Sequence, residues 1–194
     1  SDCVINLSPA KEEVFRTIWR VLKAGGEMYI SDIASDRRVP ESIRNDPRLV
    51  AECLGGAEYE NDWLDQMRSH GFLDPRVVSR RVVQTEAHGE PIVFSSLDVR
   101  AFKLEDMDRR CEDYGQIAIY RGSVACSPAR FQFDDHHIFE AQRPTPVCRN
   151  TARMLSESRL GKHFQLTAPI RHFGLFDCAP GPLGDAEAVS GACC

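Results

Sequence analysis

The chain has 194 residues and a formal net charge of -5 at pH 7, from 24 Lys and Arg against 29 Asp and Glu. This length allows one large domain or two small ones, each with an apolar core. The acidic balance gives no electrostatic reason to expect nucleic acid or an anionic membrane as a partner. No run approaches the roughly 18 apolar residues that a membrane span needs, and no signal peptide is visible, so a cytoplasmic monomer is expected.

The first predicted elements alternate between strand and helix. The apolar run at residues 3–7 predicts a short strand, and the Ser8-Pro9 pair predicts the start of a helix that ends near Gly25. Residues 27–34 (EMYISDIA) predict a buried strand. A strand, a helix and a second strand at this spacing predict a βαβ unit with a parallel sheet.

Two short helices and a strand pair follow. The stretch NDPRLVAECL predicts a helix with Pro47 in its first turn, and a second helix is expected from a cap at Asn61 or Asp62 to Gly71. Two β-prone segments then predict an antiparallel pair at the edge of the sheet, at residues 75–85 and 92–104.

Beyond residue 105 the pattern changes to short strand candidates separated by polar turns, with one helix near residues 150–160. We therefore expect a first domain at 1–104, a small β-rich domain at 105–178, and a tail at 179–194. The tail is rich in Gly, Pro and Ala and is expected to be disordered.

Cysteine is the unusual residue of this chain. The eight cysteines contain no Cys-x-x-Cys pair, and no His-x3–5-His accompanies them, so the local signature of a structural zinc site is missing. In a reducing compartment they are expected to be thiols, and any one of them alone is most simply a small buried apolar residue. They are Cys3, Cys53, Cys111, Cys126, Cys148, Cys178, Cys193 and Cys194.

Several segments carry a family resemblance. The stretch RVLKAGGEMYISD resembles a helix end and fifth strand common to S-adenosylmethionine-dependent methyltransferases. With SDCVINLSPAKEEVF, AECLGGAEY, CEDYGQIAIYRG, FDDHHIFE, PVCRNT and the final CC, the chain resembles the arsenite methyltransferases nearly from end to end. The resemblance implies an α/β fold: the C-terminal half of a Rossmann-like class I methyltransferase sheet, followed by a small β-rich α+β domain.

The resemblance also implies an activity. The family transfers a methyl group from S-adenosylmethionine to trivalent arsenic, as arsenite and as methylarsenite, with a thiol reductant as co-substrate. The family's glycine-rich cofactor loop is expected before Ser1, because this sequence contains no Gly-x-Gly-x-Gly. By resemblance, Cys3 and Cys53 match arsenic-binding cysteines, and a further one is expected upstream.

The chemistry of the residues agrees with those two positions. Trivalent arsenic is soft and thiophilic, so thiolates suit it. Cys3 is expected at the carboxyl end of a parallel strand, where open α/β sheets bind ligands, and Cys53 precedes the Gly55-Gly56 pair, where the chain can approach a ligand closely.

Other candidates are weaker. Glu52 is either an arsenic contact or a surface carboxylate, and Asp2, Val4 and Asn6 are local candidates for lining the cofactor pocket. A metal site at residues 134–137 (DDHH) is disfavoured against a structural hairpin, because adjacent strand residues point to opposite faces. Three roles stay open for four of the remaining cysteines, which are disulfide relay, binding of a second arsenical, and packing; these four are Cys111, Cys126, Cys148 and Cys178. The terminal Cys193 and Cys194 are interpreted as an accessible dithiol.

Two alternatives to arsenite methylation remain. The stretch RVLKAGGEMYISD would serve another small-molecule methyltransferase equally well, but such an enzyme has no need of paired thiols. If the chain is complete as given, a non-catalytic arsenical-binding thiol protein is favoured instead.

Overall fold

The structure is a computed structural model, and it describes residues 3–178. The chain divides into two compact units, residues 1–105 and 106–194. Within the described part, no helix is both long and apolar enough to cross a membrane.

The first unit is a four-stranded sheet with helices. Its strands have the order β2-β1-β4-β3, with β1 and β2 parallel and β4 antiparallel to both β1 and β3. The elements are α1 (Lys11–Val21), β1 (Glu27–Ser35), α2 (Glu41–Arg44), α3 (Pro47–Ala51), β2 (Glu58–Tyr59), α4 (Glu60–Ser69), β3 (Arg76–Gln84) and β4 (Phe94–Phe102), preceded by a 3-10 turn at Ile5–Leu7.

Helical spacing of apolar residues explains how α1 packs. Phe15 is fully buried against the sheet, and Val14, Ile18 and Trp19 pack beside it. On the strand side, Met28, Ile30 and Ala34 alternate along β1 and contribute to the same core, as period 2 requires. The predictions of α1, of β1 and of the antiparallel β3–β4 pair are therefore confirmed.

The predicted strand at residues 3–7 is wrong for the described residues. Cys3 has a φ of 47°, and Ile5–Leu7 form a 3-10 turn. The turn is fixed by tertiary contacts, because the Asn6 main-chain N–H donates to Asp32 Oδ2 at 3.1 Å. The parallel pairing that the structure contains joins β1 to β2, at Ala34↔Glu58 and Ser35↔Tyr59.

Helix starts also differ from their predicted caps. Helix α1 begins at Lys11, and Ser8 Oγ instead accepts the Ala10 N–H at 3.2 Å in the turn before it. Helix α4 begins at Glu60, ahead of both predicted caps, and Asp62 pairs with Arg38 at 2.7 Å instead of capping the helix. Helix α3 has Pro47 in its first turn as predicted, and α2 was not predicted.

The second unit is built on short strands. Strand β6 lies between β9 and β10, and two small antiparallel pairs join β5 to β11 and β7 to β8. Its elements are β5 (Glu112–Asp113), β6 (Gln116–Tyr120), β7 (Arg130–Gln132), β8 (Ile138–Glu140), β9 (Pro144–Val147), α5 (Arg149–Ser156), a 3-10 turn at Gly161–His163, β10 (Phe164–Leu166) and β11 (Gly174–Leu175).

Aromatic side chains form much of the core of this unit. The ring centroid of Phe164 lies 5.2 Å from that of Tyr120, 5.7 Å from Phe131 and 5.1 Å from Phe139. Such offset and edge-to-face pairs add to the stability gained from burial. The predicted small β-rich fold with one helix is confirmed, and the predicted tail at 179–194 lies outside the described residues.

Candidate functional site

The C-terminal end of α3 determines where Cys53 lies. The Leu54 N–H donates to Leu49 O at 2.8 Å and the Cys53 N–H to Val50 O at 3.0 Å, which is the Schellman pattern of helix termination. Its left-handed position is usually a glycine, yet here it is Cys53, with a φ of 64°. A non-glycine residue in this conformation costs about 1–2 kcal/mol, so the thiol is retained at a cost in backbone energy.

Cys3 lies beside β1 and contacts the end of this helix. Its N–H donates to Ser31 O in β1 at 2.8 Å, and its φ is also positive, at 47°. The Sγ atom of Cys53 lies 3.8 Å from the Cys3 carbonyl oxygen. Both side chains are partly buried and pack against the apolar cluster that contains Ile33 and Ala57. The structure thus brings together two cysteines that are fifty positions apart in the sequence.

A glycine permits this approach. A Cβ atom on Gly56 would lie less than 3.0 Å from the Asn6 carbonyl oxygen, which is a main-chain atom that cannot swing away. Lys11 Nζ donates to Gly56 O at 2.9 Å and lies 3.5 Å from Glu58, so α1 is also fastened to this loop. We expected the glycine pair to approach a ligand, and Gly56 instead approaches the chain's own backbone.

Asp32 is a supporting residue that sequence analysis missed. It is fully buried in β1 and accepts the main-chain N–H groups of Asn6 at 3.1 Å and Ile33 at 2.9 Å. Burial raises the pKa of Asp32, while these donors act in the opposite direction. An acidic residue inside the apolar run EMYISDIA was the available signal, because a buried carboxylate must have hydrogen-bond partners.

The candidates for the cofactor pocket differ in their surroundings. Val4 is 60% exposed, whereas Asn6 is buried and its Nδ2 donates to Ile33 O at 2.6 Å. Asn6 Oδ1 is buried and accepts no hydrogen bond from the described residues. Asn6 therefore fastens the turn to β1 and offers one remaining acceptor. Asp2 lies outside the described residues.

Glu52 has the surroundings of a surface carboxylate. Its side chain is 51% exposed and lies 4.0 Å from Arg48, one helical turn earlier. The surface interpretation of this residue agrees with these contacts.

Residues 134–137 are not strand residues as predicted, so their side chains do not alternate between two faces. These residues form the turn between β7 and β8, where Asp134, His136 and His137 bring ligand atoms within 4.8 Å of one another. Asp134 Oδ1 nevertheless accepts the N–H groups of His136 at 3.1 Å and His137 at 2.6 Å. The buried carboxylate thus stabilises the hairpin turn.

Comparisons with known proteins follow this geometry. Residues 1–71 match a methyltransferase domain model, and residues 114–179 match the arsenite methyltransferase C-terminal domain. A crystal structure of CrArsM, an arsenic (III) S-adenosylmethionine methyltransferase from Chlamydomonas reinhardtii, is similar with a TM-score of 0.83 and 42% identity over 90% of this chain and 60% of that one. The first unit therefore has the class I methyltransferase fold.

Similar proteins show to which methyltransferase family the chain belongs. Arsenite methyltransferase of Aquipseudomonas alcaligenes is 45% identical over all of this chain and 59% of its own length, and the human enzyme is 31% identical over all of this chain and 48% of its own. The chain belongs to the arsenite methyltransferase family. It spans between about half and three fifths of the length of these relatives.

Proposed function

We propose that the protein of which this chain is a part methylates trivalent arsenic and that Cys3 and Cys53 are two of its arsenic ligands. The observation that carries the proposal is the contact of the Cys53 thiol with the Cys3 carbonyl oxygen beside β1, with each cysteine in a costly left-handed conformation. Strain that persists in a fold commonly marks a functional position.

The binding step is a condensation. Arsenous acid, As(OH)3, reacts with the two thiols, so that two As–S bonds form and two hydroxyl groups leave as water with the thiol protons. Arsenic keeps its lone pair, which the two fixed sulfurs and one further ligand would orient. By family resemblance that further ligand is a cysteine upstream of this chain.

The described residues supply only part of a site for S-adenosylmethionine, which is the methyl donor that the family implies. Val4 is exposed and Asn6 Oδ1 accepts no hydrogen bond from the described residues, but the sequence has no glycine-rich loop. When bound, S-adenosylmethionine supplies an electrophilic methyl group. The residues of this chain hold the arsenic in place and limit water around it, since both cysteines pack against an apolar cluster. Once the arsenic lone pair had taken up the methyl group, S-adenosylhomocysteine would leave and the arsenic would be pentavalent. Two thiols of the reductant would then return it to the trivalent state and would themselves become a disulfide.

The test uses the natural full-length protein, assayed with arsenite, S-adenosylmethionine and a thiol reductant. Cys3→Ser and Cys53→Ser keep the side-chain size and remove the soft ligand, so each is expected to lower methylation at least a hundredfold. Cys126→Ser is the control for the loss of a sulfur away from the site: Cys126 is an exposed cysteine of the second unit that forms a disulfide rather than a thiol, and its variant is expected to stay near the parent rate in the presence of the reductant. Normal turnover by both site variants would contradict the proposal.

The same assay separates the alternatives. Arsenite binding without methylation by the parent protein would favour a non-catalytic thiol protein. Methylation of a carbon or oxygen acceptor that survives both substitutions would favour another small-molecule methyltransferase.

A further inference from the structure

A second group of cysteines lies in the second unit. The sulfur atoms of Cys111, Cys148 and Cys178 all lie within 4.8 Å of one another. All three are thiols rather than disulfides; Cys148 is buried, and the other two are partly exposed. The group is therefore enclosed on one side and accessible on another.

Three separate segments of the chain deliver these thiols. The pairing of β5 with β11, at Glu112↔Leu175 and Asp113↔Gly174, brings the segments of Cys111 and Cys178 together. The Phe176 N–H extends this pairing by donating to Cys111 O at 2.7 Å. The convergence is thus built by main-chain hydrogen bonds.

Cys148 is held by a helix terminus. It is the N-cap of α5, and its Sγ accepts the Thr151 N–H at 3.5 Å and lies 3.3 Å from Thr151 Oγ1. Serine, threonine, aspartate and asparagine are the usual residues at this position. Cysteine accepts a weaker hydrogen bond than these residues do. The position therefore has a soft sulfur ligand in place of a stronger helix cap.

We propose that Cys111, Cys148 and Cys178 form a three-thiolate site for a trivalent arsenical. Bonds from sulfur to a bound centre are about 2.3 Å long for zinc, so sulfurs that share a pyramidal or tetrahedral centre are about 3.5–3.8 Å apart. The three sulfurs lie within 4.8 Å of one another, so they have to approach by at most about 1.3 Å to share such a centre. The site belongs to the second unit and its chemistry does not depend on the proposed role of Cys3 and Cys53.

The number of ligands favours arsenic over zinc. Structural zinc sites are tetrahedral with four protein ligands. Among the residues that the structure describes, this group has three Cys members and no His, Asp or Glu. Trivalent arsenic is pyramidal, takes three sulfurs and keeps a lone pair in the fourth direction, which matches the number present.

Proton balance favours the same ligand. Arsenous acid reacts with three protonated thiols to give As(SR)3 and three water molecules. The protons leave in water and no net charge enters the site. A divalent cation would instead have to expel protons into solution and bury an uneven charge.

The experiment uses the 194-residue chain with the other cysteines removed. In this three-thiol protein, serine replaces the five cysteines outside the group, which are Cys3, Cys53, Cys126, Cys193 and Cys194. Sodium arsenite is added under reducing conditions without competing dithiols, excess is removed by gel filtration, and bound arsenic is counted by mass spectrometry. Arsenic X-ray absorption then gives the number of As–S bonds.

The expected result is one arsenic per chain with three As–S bonds. Adding Cys148→Ser to this protein should cut the affinity for arsenite at least tenfold, while the melting temperature stays near that of the three-thiol parent because serine preserves the cap of α5. Cys111→Ala and Cys178→Ala should act likewise at partly exposed positions, so that loss of binding is separated from loss of folding.

Three outcomes would overturn the proposal. The first is absence of bound arsenic from a folded three-thiol protein. The second is an As–S count that stays the same after Cys148→Ser, and the third is tight binding of Zn²⁺ that arsenite cannot displace.

Discussion

Gly56 packs against the main-chain carbonyl of Asn6 so closely that a methyl group on Gly56 would lie less than 3.0 Å from that oxygen. The contact joins the loop after Cys53 to the turn after Cys3. It makes the position of one thiol depend on the position of the other, although neither Gly56 nor Asn6 has a side chain suited to arsenic.

Gly56→Ala is therefore expected to weaken arsenite binding at Cys3 and Cys53 with both thiols present. Relieving the clash requires the loop to move, because the neighbouring atom is main chain, and overpacking of this kind costs about 1–3 kcal/mol. Arsenite titration of the chain and urea unfolding measure the two effects. The control is Gly89→Ala, where a Cβ meets nothing within 4 Å but the φ of 76° is strained. It should lower stability and leave the arsenite affinity unchanged; equal affinity losses in the two variants would contradict this account.

Replacing Cys53 by glycine should separate its backbone role from its thiol role. Glycine adopts the φ of 64° without the penalty that a side chain incurs, so Cys53→Gly should be about 1 kcal/mol more stable than Cys53→Ala. Both variants should lose arsenite binding at this site. Thermal unfolding of the pair, followed by arsenite titration, tests the two statements separately. An alanine variant as stable as the glycine variant would show that the left-handed conformation is not costly here.

The pKa of Asp32 sets a pH dependence of stability. Its raised folded-state pKa means that the folded chain keeps a proton that the unfolded chain loses near the ordinary value of 3.8. The contribution of Asp32 to folding is therefore full below pH 3.8 and declines as the pH rises through its folded pKa. The difference in unfolding free energy, parent minus Asp32→Asn, should decrease as the pH rises above 3.8 in urea titrations.

An oppositely shifted carboxylate is the control for Asp32. The Arg38 guanidinium lowers the pKa of Asp62 by hydrogen bonding, so its contribution is present above pH 3.8 and is lost as the pH falls through the lowered value. The difference between the parent and Asp62→Asn should therefore have the opposite slope at acid pH. Slopes of the same sign would refute the assignment of the two shifts.

Elements could be predicted from the sequence where one face is buried over several helical turns or along a strand of alternating residues. The stripe around Phe15 predicted α1, and the runs at 27–34, 75–85 and 92–104 predicted the three long strands. The prediction failed at residues 3–7 because the apolar run is folded into a 3-10 turn by hydrogen bonds to β1, a partner that no local pattern contains.

The two groups of cysteines also differ in how far they could be predicted from the sequence. Resemblance singled out Cys3 and Cys53, and their spacing alone did not require them to meet. The group of Cys111, Cys148 and Cys178 depends on β5 and β11, strands of two residues each, which are too short for any periodic signal. Convergence of distant short segments can be read only from the fold.

The last prediction concerns the methyl donor. The 194-residue chain contains no Gly-x-Gly-x-Gly and offers Val4 and Asn6 as its described candidates for contacting S-adenosylmethionine. Calorimetry is therefore expected to detect no binding of S-adenosylmethionine to this chain at micromolar concentrations, while the natural full-length protein binds it. The arsenite that the same preparation loses on Cys53→Ser reports the site of Cys3 and Cys53 apart from the other thiols of the chain, and it shows that the first unit is folded because the positions of these two cysteines depend on the sheet. Micromolar binding of S-adenosylmethionine to the chain alone would mean that its own residues form a cofactor site, and that the glycine-rich loop expected upstream is unnecessary for binding.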